Sequence, residues 1–81
     1  MHELSIAQGI VETVRRHLHA GEIHEVKAVR LRLGDQTAIA PESLQFCFDL
    51  ACEGTILRGA RLEIENVPGD ALQVVEVEVE E

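Results

Sequence analysis

The stretch Val29-Arg30-Leu31-Arg32-Leu33-Gly34-Asp35 alternates apolar and charged side chains. A period of two predicts a β-strand with one face in the core and one in water, because successive side chains of a strand point to opposite faces. Gly34 and Asp35 favour turns and predict the end of this strand. A sheet with one apolar face needs a covering layer, so amphipathic helices are expected elsewhere in the chain.

Two later segments, Arg61 to Val67 and Leu72 to Glu80, repeat the alternation. Their apolar positions are Leu62, Ile64, Val75, Val77 and Val79, and their acidic positions are Glu63, Glu65, Glu76, Glu78 and Glu80. The intervening Pro68-Gly69-Asp70 segment is rich in turn-forming residues. The sequence therefore predicts two more strands that pair with each other as an antiparallel hairpin.

An amphipathic helix is predicted from Leu4 to His19. Apolar residues recur there at intervals of three and four, as one buried helix face requires; they are Ala7, Ile10, Val11, Val14 and Leu18. Ser5 and Gln8 have the spacing of a capping box, in which each side chain accepts a hydrogen bond from the other residue's backbone N–H. Ser5 is therefore the candidate cap of this helix.

A second helix is predicted roughly from Pro41 to Glu53. Pro41 suits a first helical position, where its missing N–H would be unpaired in any case, and Glu42 favours the positive end of the helix dipole. Gly54 suits the left-handed conformation that ends many helices. The residues expected on the buried face are Leu44, Cys47, Phe48 and Ala51.

The element order is thus α-β-α-β-β, and residues 1–81 are expected to form a single domain, since chains of this length hold one core. The predicted fold class is an α+β two-layer sandwich with two helices on one face of a three-stranded mixed sheet. Arg30 and Arg32 would lie on the open face of the sheet. Opposite charges from the other strands could pair with them there, which favours a solvated face over a docking surface.

Charge and composition exclude several functions. Seven Lys and Arg residues against fifteen Asp and Glu residues give a net charge of −8. Such a surface is a poor partner for nucleic acid and for anionic membranes, because both require basic residues. The chain begins without the basic and apolar pattern of a secretory signal, so a cytoplasmic protein is expected.

The residues that commonly carry catalysis form no recognisable motif. Residues 54–59 lack the Lys and Ser/Thr of a phosphate-binding loop, and neither Ser5 nor Ser43 lies in a nucleophile motif. Cys47 and Cys52 are five positions apart on a predicted helix, which favours two buried thiols over a disulfide. The sequence therefore predicts that the protein is not an enzyme.

The histidines are the remaining candidates for chemistry. His17, His19 and His24 cluster around the end of the first helix, where a surface role is expected and an auxiliary metal contact is the alternative. His2 differs, because its imidazole, its backbone amide and the Met1 amine could close fused chelate rings around one ion. Three nitrogens in a plane suit Ni(II) or Cu(II) better than Zn(II).

Four segments, spread over nearly the whole chain, carry a family resemblance. They are Met1-His2-Glu3-Leu4-Ser5, Val29-Arg30-Leu31-Arg32-Leu33-Gly34, Pro41-Glu42-Ser43-Leu44-Gln45-Phe46-Cys47-Phe48-Asp49 and Gly59-Ala60-Arg61-Leu62-Glu63-Ile64. Together they resemble the HypA/HybF family of hydrogenase nickel-incorporation proteins. The resemblance implies a nickel metallochaperone that acts with a HypB-type GTPase on the large subunit of [NiFe]-hydrogenase and, in some bacteria, on urease. It implies His2 as the essential Ni(II) ligand and associates Glu3 with the same site and its partner contact.

One feature of the family is missing from this chain. Family members carry a zinc-binding module with two Cys-x-x-Cys pairs between the second and third strands, at about residues 69 and 70 here. No Cys-x-x-Cys occurs in the chain, so zinc is not expected. The alternative function is an interaction or dimerisation module that has lost metal delivery. A homodimer could arise if the short connection forced the last strand into a second copy.

Overall fold

The computed structural model describes residues 2–18 and 25–80. Its elements follow the expected order and are α1 (Glu3–His17), β1 (Glu25–Gly34), α2 (Pro41–Cys52), β2 (Arg61–Val67) and β3 (Leu72–Glu80). Both helices pack on one face of a mixed sheet, so the predicted two-layer α+β class is confirmed. None of the helices in the described ranges is long and apolar enough to span a bilayer.

β1 is the central strand of the sheet, whose order in the described part of the chain is β2-β1-β3. β2 runs parallel to β1, with Leu31 opposite Ile64, and β3 runs antiparallel to β1, with Val29 opposite Val77. The predicted hairpin between β2 and β3 is therefore wrong, because these strands lie on opposite edges. α2 supplies the long crossover that parallel strands need, and this frees the other side of β1 for β3.

The connection from Pro68 to Ala71 spans the end of β1 in place of a hairpin turn. The Gly34 N–H donates to the Ala71 carbonyl at 2.7 Å, and the Asp35 N–H donates to the Val67 carbonyl at 2.8 Å. One Asp35 carboxylate oxygen accepts a hydrogen bond from the Gly69 N–H at 2.9 Å. The turn-forming residues between β2 and β3 therefore carry the chain across the end of β1. β3 then pairs with β1 of its own chain.

α1 begins earlier than the sequence suggested. His2 is the N-cap residue, Glu3 is the first helical residue, and no side chain in the described ranges caps this end. The capping box predicted for Ser5 and Gln8 is therefore wrong, and Ser5 lies within the first turn. That turn is needed because the apolar face already starts at Ile6, which is buried.

The core lies between the helices and the sheet. α1 contributes Ile6, Ala7, Ile10, Val11 and Val14, and α2 contributes Leu44, Phe48 and Cys52. Pro41 occupies the start of α2, and Gly54 has a φ of 76° just after its end, as predicted. Cys47 and Ala51 are only partly buried, because Cys52 completes the inward face.

A β-bulge changes the predicted pattern of β3. Leu31 lies opposite Val74 and Arg30 lies opposite Glu76, so Val75 has no partner position on β1. Val75 is 38% exposed. Its predicted place in the apolar row with Val77 and Val79 is therefore wrong, since one extra residue in a strand shifts the alternation.

Charged side chains pair across the open face of the sheet, as expected. Arg30 lies between Glu63, at 3.6 Å, and Glu76, at 3.1 Å. Arg32 pairs with Glu65 at 3.6 Å. Each exposed pair contributes at most about 1 kcal/mol, so these contacts keep the face solvated more than they stabilise the fold.

The close approach of the 68–71 connection to Gly34 leads to a testable prediction. A Cβ at this position would meet the Gly69 carbonyl oxygen and would lie 2.7 Å from the Ala71 nitrogen. Both are backbone atoms with little freedom to move, so Gly34→Ala is expected to lower the free energy of unfolding by about 1–3 kcal/mol.

Gly9→Ala is the matched control, because a Cβ on this helical residue meets nothing within 4 Å. It should raise the free energy of unfolding by about 0.5–1 kcal/mol, since glycine weakens helices. Urea titration of both variants measures the difference. Equal stability of Gly34→Ala and the parent would show that the crossing tolerates a side chain.

Candidate metal centre

His2 lies exposed at the very start of α1. Its φ of −82° and ψ of 122° are extended, so the chain leaves the helix axis at this residue. Its carbonyl accepts the first helical hydrogen bond from the Ile6 N–H, at 3.3 Å. An N-cap N–H has no carbonyl one turn earlier to bind, so the His2 amide is available for other chemistry. Met1, the other predicted nitrogen donor, lies outside the described residues.

Glu3 follows as the first helical residue and is half-buried. The N-terminus of a helix carries a partial positive charge, which stabilises anions nearby. A carboxylate at Glu3 and a deprotonated His2 amide would both be anions at this end. The start of α1 would therefore favour anionic ligands in the chelate that the sequence predicts.

The orientation of α1 decides where this site lies. Ile6 and Leu72 line one groove between α1 and the sheet, and His17 and Val77 line the next groove along the helix. α1 is therefore antiparallel to β1, and its first turn lies at the end of the sandwich where the 68–71 connection crosses Gly34. Hydrophobic periodicity carries no information on helix direction, so this proximity could not be predicted from it.

The other histidines do not assemble a second site in the described part of the chain. His17 lies in the last turn of α1, where its Nδ1 is 2.7 Å from the Thr13 carbonyl oxygen. His19 and His24 lie outside the described residues. Within residues 2–18 and 25–80, no three His, Cys, Asp or Glu side chains come together as metal ligands. A Ni(II) ion at His2 would thus depend on backbone nitrogen as well as side chains.

The two thiols differ in their surroundings. Cys52 is 2% exposed in the core, and Cys47 is partly buried on the same helix. Burial, together with the smaller effect of the nearby Asp49 and Glu53 carboxylates, raises the pKa of the Cys52 thiol from 9.0 to about 11. Cys52 is packed among apolar core residues, so an ion could not reach its thiol without disturbing the core.

Comparison with known proteins points to one family. A family described as "Hydrogenase/urease nickel incorporation, metallochaperone, hypA" matches residues 1–72. The hydrogenase maturation factor HypA of Streptomyces avermitilis is 46% identical over 72 residues, which are 88% of this chain and 55% of that protein. HypA of Archaeoglobus fulgidus is 47% identical over 64 residues, which are 79% of this chain and 58% of that protein.

A solved structure has the same fold. The solution structure of the Ni metallochaperone HypA from Helicobacter pylori superposes with a TM-score of 0.79 at 13% sequence identity. The superposition covers 98% of this chain and 97% of that chain.

The chain spans somewhat more than half the length of these two relatives, 55% of the Streptomyces protein and 58% of the Archaeoglobus protein. The family match ends at residue 72, where β3 begins. The third strand is therefore recognised from the structure and not from that match.

The environment of Cys52 predicts selective labelling. Its raised pKa leaves a thiolate fraction about a hundredfold lower than in the unfolded chain at about pH 8. Iodoacetamide should therefore modify Cys47 in the native protein and leave Cys52 unmodified, as read by peptide mass spectrometry. In guanidinium chloride both should react at similar rates. Equal labelling of both in the native protein would contradict the buried position of Cys52.

Proposed function

This chain belongs to the HypA family of nickel-incorporation metallochaperones, and from this membership we propose that it carries Ni(II) on its N-terminus for the maturation of [NiFe]-hydrogenase. The observation that carries the proposal is the position of His2, which is exposed and directly precedes the first residue of α1. A chelate built there starts on a rigid element instead of a free tail, and this limits the number of geometries it can adopt.

Three nitrogens form the proposed chelate: the Met1 amine, the His2 backbone amide and the His2 imidazole. The planar arrangement of such a set suits the tetragonal preference of Ni(II). The amine and the amide must lose protons when the ion binds, so affinity should increase with pH. Glu3 supplies negative charge next to the ion and is the proposed contact for a partner.

A carrier needs a site that a recipient can reach. His2 lies on the surface at one end of the sandwich, and a planar chelate leaves the ion open above and below its plane. An incoming ligand from a recipient can therefore bind before the chelate releases the ion. The proposed recipients are a HypB-type GTPase and the hydrogenase large subunit in the cytoplasm, with urease as a further recipient in some bacteria.

The proposed role is transport of the ion without turnover. In the described part of the chain every buried side chain is apolar. General acid–base catalysis instead needs a positioned titratable group near its substrate.

We also propose that this protein holds no structural zinc. Such a site needs four protein ligands, usually thiolates and imidazoles, and the sequence has only two cysteines, both on α2.

One observation favours the alternative function as an interaction module. Phe46 and Leu50 are 66% and 52% exposed and lie four residues apart on α2. Apolar residues at this spacing share one face of a helix. This pair could contact a partner whether or not the chain delivers nickel, so nickel binding itself separates the two functions.

The first test of the proposal replaces His2. In protein with a free N-terminus, His2→Ala should weaken Ni(II) binding on the order of a hundredfold, or about 2.7 kcal/mol. The parent should bind about one ion per chain as a yellow, diamagnetic, four-coordinate species at neutral to alkaline pH. Titration followed by absorption spectroscopy measures both affinity and geometry.

His17→Ala is the control for this experiment. It removes an exposed imidazole from the opposite end of α1 and should leave the affinity and spectrum unchanged. An unchanged spectrum in His2→Ala would refute the site, and a loss confined to His17→Ala would place the ion at the other end of the helix.

The second test concerns the amine of Met1. Acetylation, or a tag left ahead of Met1, converts the amine into an amide and removes one nitrogen from the chelate. Affinity should fall by at least about tenfold while the melting temperature without metal stays the same. Acetylation of the His2→Ala variant should cause no comparable further loss. Equal Ni(II) affinity in free and acetylated parent protein would exclude the amine as a ligand.

A further inference from the structure

β3 forms one edge of the sheet in the described part of the chain, since β1 is its only neighbour there. An edge strand presents backbone N–H and C=O groups on its outer side, and a second chain can pair with them. β2, the other edge, is shorter, with seven residues against nine in β3. The bulge at Val75 interrupts β3, and a second register shift lies between Glu78 and Val79, so Glu76 to Glu78 is the segment that pairs regularly with β1 here.

The side of β3 that faces the helices is incompletely covered. Val74 and Val77 are half-buried, whereas the neighbouring Leu31 and Val29 of β1 are fully buried. Thr13 and Val75 line the groove between α1 and this strand. A further strand beside β3 would place its apolar side chains next to α1 and bury the parts of Val74 and Val77 that are still exposed.

Charge on the opposite face identifies the kind of strand that fits. Glu63, Arg30 and Glu76 lie side by side across the sheet, so the sign of the charge alternates from strand to strand. A basic residue on a fourth strand would continue the alternation beyond Glu76. The last ten residues, 72–81, contain four Glu and no Lys or Arg, so they carry −4 of the total −8.

The same charge disfavours a second copy as the occupant. If two β3 strands paired antiparallel around Val77, Glu76 of each chain would face Glu78 of the other. Like charges directly opposite each other destabilise a strand pair. The occupant must therefore differ from β3 in charge while sharing its alternating pattern.

We propose that the outer edge of β3 binds an extended protein segment in which basic residues alternate with apolar residues, as a fourth strand of the sheet. Its backbone pairs with β3, its apolar side chains enter the groove beside Thr13 and Val77, and its basic side chains lie next to Glu76 and Glu78. Pairing by β-strand addition takes affinity from main-chain hydrogen bonds and specificity from alternate side chains. This surface is separate from His2, so the proposed strand addition does not depend on the nickel proposal.

The probe is an acetylated and amidated peptide of about eight residues that alternates Lys with Val. Amide chemical shifts of the full chain locate its binding, and hydrogen exchange detects new backbone hydrogen bonds. Shifts and new protection are expected in β3 and not in β2. A peptide of the same composition with its Lys residues in one block, and a peptide N-methylated on alternate residues, should each bind at least about tenfold more weakly.

A matched pair of variants tests the charge argument. Glu76→Gln/Glu78→Gln should weaken the alternating peptide by about tenfold, as expected for two exposed charge pairs of up to 1 kcal/mol each. Glu63→Gln/Glu65→Gln removes the same charge from the same face at the opposite edge, and it should change the affinity less than about twofold. Each double variant removes one of the two partners of Arg30 and one of the two partners of Arg61, and the control also releases Arg32 from Glu65.

Several results would overturn the proposal. Equal binding of the alternating and block peptides would mean non-specific attraction to an acidic protein. Equal losses of peptide affinity in the two double variants would also indicate non-specific attraction to an acidic protein. Shifts confined to β2 or to the Phe46 and Leu50 pair of α2 would move the docking surface elsewhere, and lack of binding by the alternating peptide would remove it.

Discussion

The passage of residues 68–71 across the end of β1 is the constraint on which the sheet depends. Gly34 has no side chain at the point of closest approach. Its N–H and that of Gln36 donate to carbonyls of the crossing segment, and the Asp35 N–H donates to the last residue of β2. This contact allows two successive strands, β2 and β3, to flank β1 without pairing with each other. β1 is then buried by neighbours on both sides, which explains why Leu31 and Val29 are the best-covered residues of the sheet.

The same crossing connects the fold to the proposed chemistry. α1 runs antiparallel to β1, so its first turn and His2 lie at the end of the sandwich where the 68–71 segment passes. By resemblance, family members carry their zinc module in this connection. Anything inserted between β2 and β3 would emerge at the same end of the sandwich as His2. This proximity gives a physical reason why one domain could combine an N-terminal chelate with an inserted module.

Periodicity predicted the elements of this fold but not their arrangement. Alternation located β1 and β2, and intervals of three and four located the apolar face from Ala7 to Val14, because burial repeats with the geometry of each element. Pro68-Gly69-Asp70 suggested a hairpin, since turn residues report local backbone direction and not the strand that lies next to them. Hydrogen bonds of Gly34 with a segment more than thirty residues away decide that choice.

The candidate site likewise has one feature that the sequence predicts and one that only the structure shows. The chelate at His2 stays a prediction from its position in the chain, because a histidine at the second position places imidazole and amide nitrogens within reach of one ion. The helix start at Glu3 could not be predicted, since Ser5 offered a plausible cap and the burial of Ile6 overrode it. The early helix start bears on the proposed function, because it places His2 directly before a helical residue. A start at Ser5 would leave His2 ahead of the helix, whereas a start at Glu3 fixes its carbonyl in the first helical hydrogen bond. The proposed ligands, its amide and its imidazole, take no part in that bond.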